Sequence, residues 1–228
     1  MKPLFHAAAH QSEPGAAVVP TRDAEAALLE ARELTFRYRG RSEPILRGCN
    51  LTIRPHDHIL LEGASGEGKS TLASLLAGLC PPESGLLLAG RLDRFTLGEA
   101  QWRARVALVP QSQENHVFSA SLAFNLLMGR AWPPRLEDLA EARAVCRDLG
   151  LGPLLARMPA GLDQMVGEAG WQLSEGERSR VFLARALLSQ ADVLVLDECW
   201  ATLDPESLTS AYRALRLRAN AVLMVAHP

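Results

Sequence analysis

The sequence predicts an α/β protein with a mostly parallel, buried core sheet and a helical insert, and three observations carry that reading. Val106–Val109 and Val193–Leu196 are short β-branched or wholly apolar runs of the kind a strand covered on both faces produces. Stretches with helical periodicity alternate with such runs along the chain. The 228 residues suffice for one α/β domain with a subdomain inserted, and no internal repeat divides them.

Residues 1–27, rich in Ala, Pro and small polar side chains, have linker or leader composition. A strand follows at Leu29–Tyr38, where Leu34, Phe36 and Tyr38 share a face at period two. A second strand lies near Leu51–Ile53, and a third, His58–Glu62, runs into a glycine-rich turn. The apolar helix Thr71–Leu79 comes next, stopped by Pro81-Pro82. After the strand Val106–Val109 the pattern turns helical from Ser112 to Gly170, with helices at Leu122–Met128, Leu136–Leu149 and Leu154–Met158. A long helix at Ser174–Ser189 precedes the strand Val193–Leu196. The helix Glu206–Leu217 and the strand Ala221–Ala226 close the chain.

Composition narrows the function classes. With 24 basic and 26 acidic residues the net charge is -2, and 48% hydrophobic with 22% charged residues is ordinary for a soluble globular chain. That balance gives no electrostatic reason to expect nucleic acid or anionic lipid as a partner. Cys49, Cys80, Cys146 and Cys199 stand far apart without CxxC or Cys/His spacing, so they read as buried thiols rather than metal ligands or disulfides. No apolar run reaches the roughly 18–20 residues of a membrane span, and no signal-peptide core follows Met1. The expectation is a soluble, cytosolic chain.

The chemistry concentrates in three places. Gly63-Ala64-Ser65-Gly66-Glu67-Gly68-Lys69-Ser70-Thr71 fits the GxxxxGK[ST] phosphate loop, set between a predicted strand and a predicted helix. Its glycines let successive backbone N–H groups surround a phosphate chain; Lys69 supplies a cation and Ser70 a hydroxyl for Mg2+. Lys2 and Lys69 are the chain's only lysines. The loop reading puts Lys69 in an exposed position, where its removal touches no core. Asp197-Glu198, at the end of an apolar strand, supplies carboxylates at a sheet edge, Asp197 for Mg2+ and Glu198 to polarise an attacking water. In Leu173-Ser174-Glu175-Gly176-Glu177-Arg178, Ser174 and Glu177 form an S-x-x-E capping box, and a helix N-terminus with a free glycine is also an anion site.

That last segment resembles the signature motif, LSGGQ in consensus, of ATP-binding cassette (ABC) proteins. Further matches follow in the family's order. Tyr38 is similar to the aromatic that stacks on adenine, Gln111 to the Q-loop, Asp197-Glu198 to Walker B, Ala201-Thr202-Leu203-Asp204 to the D-loop and His227 to the switch histidine. The resemblance covers residues 29–228 and implies a P-loop NTPase of the ABC type. Its mostly parallel core sheet would carry an N-terminal antiparallel β subdomain and a helical subdomain, about 112–185, within a domain over 28–228. It also implies ATP and Mg2+ as ligands. The nucleotide would meet Tyr38, the phosphate loop, Ser174, Gly176 and Asp204; the metal would meet Ser70, Gln111 and Asp197; Glu198, His227 and Gln111 would act in hydrolysis.

Val166-Gly167-Glu168, in the segment starting at Gly161, resembles the piece that exporter-type members place against the coupling helices of their membrane part. Phe118-Ser119-Ala120-Ser121-Leu122 does likewise. The partners so implied are a transmembrane domain and a second nucleotide-binding domain, in a head-to-tail dimer sandwiching ATP. The sequence also departs from the family. Glu175 replaces a signature glycine, Glu177 replaces glutamine, Cys199-Trp200 stand where small residues usually follow the glutamate, and the chain stops one residue after His227. That early stop and the linker-like residues 1–27 suggest an excised domain of a longer membrane polypeptide, with a separate subunit as the alternative. Glu175 also leaves open a degenerate module that binds ATP and dimerises with little hydrolysis. Soluble ABC proteins of DNA repair or translation carry coiled-coil insertions or paired cassettes, for which this chain has no room.

Overall fold

A computed structural model describes residues 26–111 and 115–226. The expected leader lies almost wholly outside the described residues. Two sheets organise them. Strands β1 (Leu29–Phe36), β2 (Leu46–Ile53), β4 (Ser84–Ala89) and β5 (Leu92–Asp93) form an antiparallel sheet in the order β2-β1-β4-β5. Strands β3 (His58–Glu62), β6 (Val106–Val109), β9 (Val193–Asp197) and β10 (Val222–Ala226) form a parallel sheet in the order β3-β10-β9-β6.

Strand β9 explains why the parallel sheet holds the molecule together. Val193 and Val195 enter one hydrophobic core, with helix α1 (Lys69–Leu76) and the antiparallel sheet. Leu194 and Leu196 enter the other, with α6 (Glu175–Leu188) and α7 (Pro205–Arg218). All five residues of β9 are buried, as a strand between two covered faces must be. The second core extends into α3 (Leu122–Leu127), α4 (Leu136–Asp148) and α5 (Gly152–Arg157), so α6 packs on both the sheet and the helices before it.

The structure corrects several local expectations. Strand β1 ends at Phe36, leaving Tyr38 outside it. Its buried residues change parity, from Leu29 and Ala31 to Leu34 and Phe36, because a bulge around Glu33 (φ 49°) inserts a residue. Helix α1 stops at Leu76, ahead of the prolines. Gly78, at φ 72°, accepts the left-handed turn in which its N–H bonds Leu75 O and the Leu79 N–H bonds Ser74 O. A Cβ at Gly78 would lie 2.7 Å from Trp102 Cδ1, and the Trp102 indole N–H caps Leu76 O at 3.1 Å. Strands β4 and β5 and helix α2 (Arg94–Arg105) are not among the elements the sequence predicts. Of α2 only Trp102 is buried, so the helix shows little apolar periodicity, and Gly98 kinks it at φ 75°. Of the four cysteines read as buried, Cys49 and Cys80 are only half-buried. Burial pushes the Cys146 and Cys199 thiols up to about 12.

Candidate active site

Parallel pairing gathers the motifs at one edge. Ala226 aligns with Glu62, Val225 with Asp197, and Leu196 with Val109, so the C-terminal ends of β3, β10, β9 and β6 open side by side. The phosphate loop follows β3, Glu198 follows β9 and Gln111 follows β6. Ligands of open α/β sheets bind at this end of the strands. His227, next after β10 in sequence, lies outside the described residues.

The loop leads into α1 through Gly68, whose φ of 90° starts the helix from the left-handed region; a Cβ there would lie 2.6 Å from Ile45 Cγ2. Lys69 contradicts the exposed-loop expectation. It is the first residue of α1, only 8% exposed, and its Nζ donates to Gly63 O at 2.6 Å and Ala64 O at 2.7 Å. The ammonium is thus built into the loop it charges. Glu67 also serves the loop: its Oε2 accepts the Ala64 N–H at 2.8 Å, lying over Gly63. Ser65 and Gly66 form the exposed turn between them, and Ser70 is the exposed residue in the otherwise buried first turn of α1. Thr71 accepts or donates a 3.2 Å hydrogen bond with the Tyr38 hydroxyl, and Tyr38 packs edge-on against Phe36 at 4.9 Å. The Tyr38 ring is 45% exposed beside the phosphate-loop helix, available to a flat ligand.

At the end of β9, Asp197 is 6% exposed, and the next residue, Glu198, has a left-handed backbone (φ 49°). Its amide donates to Val225 O at 3.2 Å, and its Oε2 accepts from Gln111 Nε2 at 3.2 Å. These two side chains are 87 residues apart in sequence and are brought together by the fold.

The signature segment opens α6. Ser174 Oγ accepts the Glu177 N–H at 3.2 Å, and Glu177 Oε2 accepts the Ser174 N–H at 2.9 Å, so the predicted capping box is present. Glu177 also pairs with Arg157. Glu175 is exposed, and the position of a Cβ on Gly176 lies 3.6 Å from Thr202 O. Asp204 caps α7, accepting the Ser207 N–H at 2.9 Å and the Ser207 hydroxyl at 2.8 Å. The backbone N–H and then the hydroxyl of Ser207 hold its carboxyl below the usual range.

The two segments likened to coupling surfaces come together. Ala120–Ser121 (β7) pairs antiparallel with Met165–Val166 (β8), Ala120 opposite Val166. Val166 is buried; the outer surface there is made by Phe118, Met165 and Glu168. Buried Asn125 clamps Phe118, its Oδ1 accepting the Phe118 N–H at 2.8 Å and its Nδ2 donating to the Phe118 carbonyl at 3.0 Å, and Arg185 of α6 donates to Asn125 O at 2.8 Å. Sequence reading missed this network, because nothing in a lone Asn or Arg signals it.

Residues 46–201 match the ABC transporter family. The chain belongs to that family. An ATP-dependent lipid A-core flippase of Nitrosococcus oceani is 37% identical over 196 residues, 85% of this chain and 32% of the relative. The ABC transporter ATP-binding protein RamB of Streptomyces coelicolor is 40% identical over 213 residues, 93% of this chain and 33% of the relative. A solved bacterial Atm1-family ABC exporter with ATP bound superimposes with a TM-score of 0.79 at 27% identity, covering 98% of this chain and 38% of that one. The ABC chain therefore spans about a third of the length of these curated relatives. It is an ATP-binding domain of the exporter type, on a P-loop fold with antiparallel and parallel sheets. No helix among its described residues is long and apolar enough to cross a membrane.

Proposed function

We propose that this ABC domain, spanning 28–228 with a helical subdomain at about 112–185, drives export by hydrolysing ATP at the C-terminal edge of its parallel sheet. The supporting observation is the Gln111–Glu198 hydrogen bond at 3.2 Å, beside the loop that Lys69 charges. Adenine stacks on Tyr38. An ammonium has three donors, and two of Lys69's go to its own loop, leaving the third for a phosphate oxygen. Glu198 takes a proton from the water that attacks the γ-phosphorus, and ADP leaves with the β–γ bridging oxygen. Gln111 orients the carboxylate, and His227 contacts the γ-phosphate. Catalysis of this kind is mostly positioning and charge stabilisation.

The donors offered by Ser70, Gln111 and Asp197 are oxygens, which suit Mg2+. Among the described residues no cluster of three or more His, Cys, Asp or Glu is placed to hold a metal alone. Mg2+ fits such a site, since it is commonly bound by one or two carboxylates together with phosphates. It would supply charge neutralisation at the β- and γ-phosphates.

In the working assembly two such domains pair head to tail, the phosphate loop of each facing Ser174 and Gly176 of the other, with Asp204 near the nucleotide. The domain sits on the cytoplasmic face of a membrane, and the ribbon carrying Phe118–Leu122 and Val166–Glu168 meets the coupling helices. Specificity for the cargo resides in the membrane segments. Glu175, exposed at the signature turn, favours a second reading: a module that binds ATP and pairs with little turnover. Single-turnover hydrolysis at high protein concentration separates them. The motor releases phosphate from most of its bound ATP; the regulatory module returns ATP intact.

A further inference from the structure

We infer that Ser179 and Thr202 form a clasp that positions Glu198, an inference that rests on Glu198 being the hydrolytic carboxylate. Glu198 sits in the left-handed region (φ 49°), which a residue with a Cβ keeps only when its surroundings hold it there. On its upstream side β9 and the Glu198 N–H to Val225 O bond do so. Downstream, the chain from Cys199 to Asp204 crosses to α7 with the local turn bonds Ala201 N–H to Glu198 O, 3.4 Å, and Leu203 N–H to Trp200 O, 2.9 Å. Cys199 is buried and Trp200 packs on the core, but such apolar contacts fix no direction.

The directional tie comes from Thr202. Its residue is exposed, yet its Oγ1 lies 2.7 Å from Oγ of Ser179, which is 1% exposed. A serine inside a helix ordinarily returns its hydroxyl to the carbonyl four residues back. The Ser179 hydroxyl instead shares a hydrogen bond with Thr202, as donor or acceptor, across the gap to the loop, in the second turn of the helix that Ser174 caps. The Thr202 carbonyl also lies 3.6 Å from where a Cβ on Gly176 would stand, so the loop runs past the signature turn on its way from Glu198. A shift of the first turns of α6 therefore carries the loop, and Glu198 at its head, along with it.

The test uses the 228-residue chain and reads kcat, KM for ATP and thermal midpoint for Ser179→Ala, Thr202→Val, their double variant, Thr202→Ser and Glu198→Gln. Rates are normalised to the fraction of protein that binds ATP, so unfolded material does not enter. The clasp predicts roughly tenfold lower kcat in both single variants and no further loss in the double variant, since one interaction is removed three ways. KM stays within about twofold, because the loop does not hold ground-state ATP, and Thr202→Ser keeps the parent kcat. A double variant at the parent rate, or a Thr202→Ser as slow as Thr202→Val, overturns the clasp. Undiminished turnover in Glu198→Gln refutes the role of Glu198 itself and the clasp with it. A dead Glu198→Gln beside clasp variants at the parent rate refutes the clasp alone.

Discussion

Helix α1 starts on Gly68, which has no side chain to offer its first N–H groups, and its first turn carries Lys69 and no acid. Helix α6 starts on Ser174, whose hydroxyl and Glu177 satisfy the first turn reciprocally, with two acids at Glu175 and Glu177. The first arrangement leaves unsatisfied donors and positive charge pointing out of the helix, an anion site at some cost to the helix. The second spends its donors internally and lays negative charge on the positive end of the dipole, which stabilises the helix by a few tenths to about 1 kcal/mol per acid. One molecule thus contains a helix end built for a ligand and another built for itself. Under the head-to-tail proposal the second must still face a triphosphate. Glu177 is already occupied by the cap and Arg157, which leaves Glu175 as the charge that matters.

At the α1 end, Lys69→Ala should remove most of the ATP affinity. Losing a charge-assisted contact to phosphate costs about 3 kcal/mol, roughly a hundredfold in Kd, read by titration with labelled ATP. Because Lys69 is buried and bonds Gly63 and Ala64, the thermal midpoint falls too. Unchanged affinity would contradict the phosphate-loop assignment. Gly68→Ala and Ser174→Ala form the next contrast. Alanine at Gly68 meets both a left-handed φ and Ile45, costing about 1–3 kcal/mol and weakening ATP binding. Alanine at Ser174 removes the cap for about 1 kcal/mol, lowering the midpoint by about 2–4 °C with the unpaired domain's ATP affinity unchanged. Equal effects of the two on affinity would erase the distinction drawn here.

Glu175→Gly sharpens the α6 side. A unit charge pair at about 6 Å and an effective dielectric near 20 is worth roughly 2–3 kcal/mol, and exposure reduces this to about 1 kcal/mol. ATP-driven dimerisation should strengthen several-fold at low salt and lose that gain at high salt, by sedimentation. A variant that pairs no better at low salt means that Glu175 points away from the nucleotide. The smallest effect concerns Asp204. Its folded carboxyl titrates lower than the unfolded one, so its contribution is fully present above the ordinary value near 4. That contribution is lost as pH falls through the lower folded value. Between about pH 5 and 2 the parent midpoint should drop further than that of Asp204→Asn, which keeps a capping oxygen without titrating; parallel curves would refute it.

Sequence made some of this legible and hid the rest for physical reasons. The phosphate loop, the Walker B strand and the Ser174 box are local, each written within a few consecutive residues, and the structure has them at the expected positions. The burial of Lys69 was not legible, because a lysine's charge is visible in sequence and its enclosure by Gly63 and Ala64 carbonyls is not. Strands β4 and β5 and helix α2 escaped because Ser84–Ala89 exposes half its residues and α2 buries only Trp102, so neither leaves a clear period. The bulge at Glu33 hid behind an apparently regular alternation. Gln111–Glu198, Ser179–Thr202 and the Ala120–Val166 ribbon join distant segments, and only the fold brings those together.

Under the head-to-tail proposal the open end of α1 in one copy needs the capped end of α6 in another to complete the site. Sedimentation of Glu198→Gln, with ATP or ADP and Mg2+, tests it most directly, since that variant should bind without releasing phosphate. The variant should be a monomer with ADP and a dimer with ATP, more completely than the parent, and a monomer again when Ser174 and Gly176 are both replaced by Glu. A Glu198→Gln protein that binds ATP at saturation and stays monomeric would contradict it.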